Sequence, residues 1–456
     1  MSRSHIPPSA VSLEPMPVPV LWLWRFLRSD MRKERKNLRW VRLDNAAKIY
    51  PAARRKNWSN VFRQSVTFTE AVDTAVLQSA LDVTVERFPS IAARLRRGAF
   101  WYYLQQLENA PEICREQSYP LVHMSKKEMR KCAFRVVVYG DRLAVEFFHS
   151  LTDGTGGMIF LKSLAAEYLE QKYGISIPAE HGVLDRREPP QEEELEDSFL
   201  KYAGKVPVSR RDTNAWRMKG ELENNGFLNL TCFQMPVREV LDLAHDHRST
   251  VTVFLGAVMM KALLNLQKEK APRSRRPIKL LIPVNLRNLF PSRTLRNFAM
   301  YTIPEIDPRL GDYTLQEICD VVRNTMGLEA TAKHMSGVIA TNVNDERNLL
   351  LRIVPLPIKN MVMKAVFNSV GERKSCLSMS NLGAVALPSV MKPYIKRMDF
   401  ILSVQAAAPY NCSMLSYGDV IYLNFTRNIK DAELERHFFA VLQELGISVT
   451  VESNRS

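Results

Sequence analysis

The stretch Phe134-Arg135-Val136-Val137-Val138-Tyr139-Gly140-Asp141-Arg142-Leu143-Ala144-Val145-Glu146-Phe147-Phe148-His149-Ser150-Leu151-Thr152-Asp153-Gly154 decides how this chain is read. Two apolar, β-branched and aromatic runs flank Gly140-Asp141, a two-residue turn signal, so the spacing predicts an antiparallel hairpin. His149 then falls where a buried strand ends. Gly154, Gly156 and Gly157 follow, and they are read as a turn that needs unusual backbone angles. Ile159, Leu161, Leu164, Ala165, Tyr168 and Leu169 recur at helical spacing, which predicts a helix from Met158 to Tyr173. Histidine is the side chain best matched to proton transfer near neutral pH. Asp153, four residues on, is placed to orient the ring or to brace the loop through an arginine. A lone histidine at a strand end is more often structural, so the surrounding pattern has to carry the argument.

Outward from this stretch the chain alternates strands and helices in both halves without a strict βαβ rhythm, which predicts mixed sheets in two α/β lobes. Upstream, Val61 to Phe68 reads as a strand. A helix is expected from Thr69 to about Arg87, stopped by Pro89, and Ala99 to Leu104 is strand-like. Pro189 to Asp197 is acidic and proline-led and reads as a surface linker. Downstream, helices are expected over 237–247 and 251–266, with a strand over 279–282. Further strands are expected over 375–379, 399–404, 411–416 and 420–425, and a last helix over 431–445. The lobes are accordingly set at 40–188 and 227–456, joined by a crossover at 189–226 and preceded by a basic, proline-rich arm at 1–39.

The composition excludes several classes. The 456 residues exceed what one small core organises. No apolar run is read as approaching the roughly 18 residues of a membrane span. The six cysteines are scattered, with no CxxC pair, which points to a reducing, cytoplasmic setting without disulfide framework or zinc site. The net charge of +15 is concentrated early: residues 25–63 hold 13 Lys/Arg against 3 Asp/Glu. A solvated face, a polyanionic ligand and anionic lipid compete to explain it. No nucleic-acid motif accompanies the charge. Trp22, Trp24 and Phe26 beside Arg25 and Arg28 leave a weak case for membrane-surface contact by the arm.

His149-Ser150-Leu151-Thr152-Asp153-Gly154 resembles the HxxxDG motif of the chloramphenicol-acetyltransferase-like acyltransferases, a superfamily that includes alcohol acetyltransferases and condensation domains. Many members read HHxxxDG, and their second histidine is catalytic; here Phe148 stands at the first position and His149 at the second. The resemblance extends to Phe88-Pro89-Ser90-Ile91, to the helix at 252–263, to Pro283-Val284-Asn285-Leu286-Arg287, to Thr294-Leu295-Arg296-Asn297-Phe298 and to Ser380-Asn381-Leu382-Gly383. It covers roughly residues 40–450 and is nearest the bacterial alcohol-acetyltransferase-like and condensation-domain branch. The DFGWG sequence of the plant branch is missing. The resemblance implies two lobes with an active-site tunnel between them and transfer of an acyl group, acetyl above all, from a CoA thioester to an alcohol or amine. His149 would be the general base. Asp153, paired with Arg287, and Gly154 would be structural. Ser380, Asn381 and Asn297 are candidates for the oxyanion site or the tunnel. Acyl-CoA would be a co-substrate and no cofactor a resident. The donor is left open between CoA and an acyl carrier protein, and a catalytically silent binding member is the third reading.

Other candidates have plainer explanations. His245 and His247 are two apart on a helix and point away from each other, so no metal is expected. Gly154-Thr155-Gly156-Gly157 lacks the spacing of a nucleotide loop. Cys132 and Cys376 read as core. Ile358, Met361, Val362 and Ala365, like Met363 and Phe367, recur at helical spacing and are expected to pack, with lining of an acyl tunnel as the rarer alternative.

Overall fold

The hairpin around Gly140 forms the centre of a five-stranded sheet. In the computed structural model, which describes residues 39–54, 60–116, 118–208, 213–347, 353–367, 372–405 and 408–455, Phe134–Tyr139 pairs antiparallel with Arg142–Phe148, and Gly140 takes the left-handed conformation of the turn. Arg142–Phe148 pairs in turn with Val61–Phe68, so that Val61 faces Phe148 and Phe62 faces Phe147. The basic arm falls outside the described residues save for Arg39.

The strand Ile395–Leu402, from the part of the sequence expected to form the second lobe, joins the outer edge of this first sheet beside Val61–Phe68. A second sheet of eight strands is mixed. Leu377–Ala384 runs parallel to Ile278–Asn285 on one side and to Tyr410–Tyr417 on the other, and the remaining pairs are antiparallel. A third, three-stranded sheet holds Trp40–Arg42, Tyr102–Gln106 and Ala93–Arg97.

Each large sheet has its own core. Helices Thr74–Arg87 and Gly154–Tyr173 cover the first sheet, with Leu81, Phe147, Phe160 and Leu164 buried among them. Helix Val251–Lys270 is the centre of the second core, with Phe254, Val258, Leu263, Leu280 and Phe438 around it. This helix is long and apolar enough by composition to cross a membrane, contrary to the reading of the sequence, but it is mostly buried inside the second core.

Several boundaries differ from expectation for local reasons. The helix expected from Thr69 starts at Thr74, because Asp73 accepts the Ala75 and Val76 amides at 2.9 and 3.1 Å and is its cap. The helix expected from Met158 starts at Gly154, so the glycines form its first turn. None of Gly154, Gly156 and Gly157 has positive φ. Their smallness serves close packing: a Cβ on Gly156 would lie 2.2 Å from the Leu295 carbonyl oxygen and from Thr152 Oγ1. The acidic stretch at 189–197 is also more than surface, since Glu194 is buried and takes a bidentate pair from Arg87 at 2.5 and 2.7 Å.

Lys162, inside helix Gly154–Tyr173, is buried, and among the described residues its partners are the carbonyls of His181 and Ala386. Burial lowers its pKa from 10.5 to about 8. Between those values the unfolded chain binds more protons than the folded one, so the folded state gains stability as pH rises through that window. Urea denaturation at a series of pH values is expected to show wild type gaining on Lys162→Met between pH 8 and 10.5; parallel stability curves would contradict this.

Candidate active site

His149 follows the last residue of strand Arg142–Phe148, and its amide donates to the Asn60 carbonyl at 2.9 Å. The neighbouring Phe148 is fully buried and turned into the core. The position that carries a histidine in many HHxxxDG sequences is therefore a packing position here. The His149 ring lies between two aromatic rings. Tyr50, on helix Ile49–Ala53, is 4.8 Å away centroid to centroid, and Phe62 meets it edge-on at 5.1 Å.

The ring's Nδ1 is 3.0 Å from Asn297 Oδ1. Asn297 Nδ2 donates to Asp44 Oδ2 at 3.2 Å, and Asp44 Oδ1 accepts the Ala47 amide at 2.7 Å. With the Asp44 carboxyl ionised, reversing the Asn297 amide would set its oxygen against the Asp44 carboxyl oxygen. The network therefore assigns the proton to Nδ1, which donates, and leaves Nε2 as the bare nitrogen. Among the described residues the one side chain hydrogen-bonded to the ring is Asn297, at Nδ1. Burial lowers the His149 pKa below its ordinary value, opposed by a hydrogen bond to its own backbone, then by Asp153, Asn297 and Asp44. The ring is accordingly neutral at pH 7, the form in which it can accept a proton. Burial also raises the Asp44 carboxyl, against Arg296, the Ala47 amide and Asn297. The Tyr50 phenol is raised by burial and by Asp44 and Asp153, and stays protonated.

Asp153 does not touch the ring. Its Oδ1 accepts the Thr155 and Gly156 amides at 3.1 Å each and so caps helix Gly154–Tyr173. Its Oδ2 accepts Arg287 Nη1 and the Phe298 amide, both at 2.8 Å. Arg287 completes its fork on the Thr294 and Arg296 carbonyls at 2.9 and 2.6 Å. Thr152 Oγ1 donates to the Leu295 carbonyl at 2.6 Å. The structure thus brings together His149, Asp153, Gly154, Arg287 and Asn297.

Neither Ser380 nor Asn381 is hydrogen-bonded to the ring. Asn297, a candidate for the oxyanion site or the tunnel, sits on the Nδ1 side of His149. Asn381 uses both ends of its amide, donating to Thr252 Oγ1 at 2.9 Å and accepting the Gly383 amide at 2.7 Å. Ser380 is partly exposed beside it. This segment still reaches the motif, because a Cβ on Gly154 would lie 2.7 Å from the Leu382 side chain.

Sequence reasoning missed Asp44 and Tyr50. The one available signal was that Asp44 is among only three acids in the basic stretch 25–63. His247 Nδ1 is engaged by the Leu243 carbonyl at 2.9 Å, and no group of three metal-ligating side chains occurs among the described residues. Cys376 is buried and pushed up to about 12, whereas Cys132, expected in the core, is only partly buried. A separate cleft of about 550 Å³ includes Arg63, Arg142 and Arg397 in its lining. These arginines are held by Glu116 and Asp399 at 2.5 to 2.8 Å.

No protein-family model matches the sequence, and no curated protein matches it. Solved structures do match in three dimensions. The trichothecene 15-O-acetyltransferase TRI3 from Fusarium sporotrichioides is 10% identical, with a TM-score of 0.58 over 90% of this chain and 94% of that one. TRI101 from F. graminearum, complexed with coenzyme A and deoxynivalenol, is 10% identical, with a TM-score of 0.61 over 90% and 99%. The first condensation domain of the CDA synthetase is 12% identical, with a TM-score of 0.55 over 89% and 96%. The chain has the chloramphenicol-acetyltransferase-like fold. In this fold the chain's two mixed sheets meet at the His149 segment, through Arg287 and the run Thr294–Phe298.

Asp153 and Arg287 side chains are only 6% and 10% exposed, so removing one charge strands the other in a poorly solvated place. Asp153→Asn is expected to lower the unfolding free energy by about 3–5 kcal/mol, read by urea denaturation. A loss below about 1 kcal/mol would show that the pair is not a structural tie.

Proposed function

We propose that the chain is an acyltransferase that moves an acyl group, acetyl in the first instance, from a CoA thioester to an alcohol or amine. The observation that carries this reading is the His149 ring, neutral and bare at Nε2, with Nδ1 held by Asn297. Nε2 removes the proton of the acceptor hydroxyl as its oxygen attacks the thioester carbonyl. When the carbon–sulfur bond breaks, the imidazolium returns that proton to the leaving thiolate, so the ring ends as it began. Holding both substrates on one side of Nε2 supplies the rest of the acceleration.

Asn297 is a positioning residue, and Asp153 with Arg287 holds the segment that carries it. The reaction needs an oxyanion donor. Ser380 is the better candidate, since the Asn381 amide is already engaged at both ends. Acyl-CoA is a co-substrate in this reading, and no resident cofactor is invoked. The tunnel for the two substrates would lie between the lobes at 40–188 and 227–456, with strand Ile395–Leu402 lent to the first sheet. A reducing, cytoplasmic setting is part of this proposal. A carrier-bound acyl donor is the second reading, favoured by the likeness to a condensation domain and by the basic early sequence.

The test is release of free CoA from acetyl-CoA and longer acyl-CoAs with a panel of alcohols and amines, followed with a thiol reagent. His149→Ala is expected to lower the rate by about 10²–10⁴. Turnover only with a loaded carrier protein would move the donor to the second reading. No turnover with either donor, from a protein that folds normally, would make it a silent binding member.

A pH profile separates positioning from mere structure. The acid limb of kcat/KM is expected to titrate below the ordinary histidine value of 6.5, because burial disfavours the imidazolium. Asn297→Asp should move that limb upward by placing a carboxylate on Nδ1. An unmoved limb would remove Asn297 from the account.

A further inference from the structure

Helix Leu356–Val366 does not pack as its spacing predicts. Ile358, Met361 and Val362, on one stripe of the helix, are between 53% and 71% exposed, as is Ile353 just before it. Ala365 continues the stripe and is exposed too. The opposite side is fixed: Leu356 and Lys359 are buried. The Leu356 amide donates to the Ala99 carbonyl at 3.0 Å, and Lys359 Nζ donates to the Phe100 carbonyl at 3.1 Å. Lys359 also lies over the Trp101 ring at 3.6 Å, and Asn360 bonds the Tyr102 hydroxyl at 3.1 Å. The outward face is therefore a rigidly seated apolar stripe, beside the turn between Ala93–Arg97 and Tyr102–Gln106, where Phe100 is exposed as well.

The two chain segments that form this face carry only basic charges. Residues 90–107 and 353–371 contain Arg94, Arg96, Arg97, Lys359 and Lys364 and not one Asp or Glu. Arg97 and Lys364 are exposed. An apolar stripe flanked by exposed basic side chains, with aromatic rings beside it, is the pattern of a helix that lies in the interface of a bilayer. Anionic phospholipid complements the border and accepts the stripe. A second copy of the same face would bring basic border against basic border and is disfavoured.

We propose that the exposed stripe of helix Leu356–Val366 and the adjoining basic turn dock on a bilayer surface rich in anionic phospholipid. The helix also packs against Ile49–Ala53, which carries Tyr50 beside His149. The docked face therefore borders the candidate site, and a membrane-borne acyl or acceptor chain would be presented next to it.

Flotation of the full chain with phosphatidylcholine vesicles, with and without one third phosphatidylglycerol, tests this. Binding is expected only to the anionic vesicles and should weaken at about 0.5 M salt. Met361→Glu with Val362→Glu is expected to lower the partition coefficient about tenfold or more. These side chains are exposed, so the melting temperature should hold, and that control is read alongside. Arg97→Gln with Lys364→Gln should weaken binding while leaving the apolar stripe intact. Three results would overturn the proposal: no binding to anionic vesicles, binding that the Glu variants leave unchanged, or a dimer in solution that those variants dissociate.

Discussion

The Asp153 carboxylate is the constraint on which the rest of the arrangement depends. One oxygen caps the helix that covers the first sheet, and the other takes the Arg287 guanidinium and the Phe298 amide from the second half of the chain. Arg287 also donates to the backbone of the same short run, at Thr294 and Arg296, and to the Asn285 side chain. The run Thr294–Phe298 is thereby pinned against the His149 loop from both sides. Thr152 adds a third tie at Leu295. A buried, multiply bonded charge pair of this kind contributes little to stability relative to a well-packed apolar substitute, but it fixes geometry, since each donor has one acceptor position.

That geometry determines what His149 can do. Asn297 is held in the middle of the pinned run, with its amide oriented by Asp44, so its oxygen is presented to Nδ1. Tyr50 and Phe62 limit the tilt of the ring. Burial keeps the imidazole uncharged. The aspartate of the motif thus acts on the histidine through the second half of the chain and does not form a hydrogen bond with it.

The hairpin, the helix that follows His149 and the four late strands were legible because each has a strong local period and a clear turn signal. The Asp153–Arg287 tie was legible only through the family resemblance, since nothing local links residues 134 positions apart. The glycines after Asp153 were visible but misread: they relieve contact with Leu295 and Leu382, and contacts between distant segments leave no trace in local spacing. Asp44 and Tyr50 were missed for the same reason. They come from a turn and the short helix Ile49–Ala53, a segment whose role is set by where it docks. Helix Leu356–Val366 shows the opposite failure. Its apolar spacing predicted burial, and the fold buries only its other side.

The central claim is that His149 stands neutral with its proton on Nδ1. Side-chain ¹⁵N NMR of histidine-labelled protein at pH 7, with the His149 signals assigned by their loss in His149→Gln, tests it directly. The account predicts a protonated Nδ1 and an unprotonated Nε2. A ring protonated on Nε2, or on both nitrogens, would contradict it.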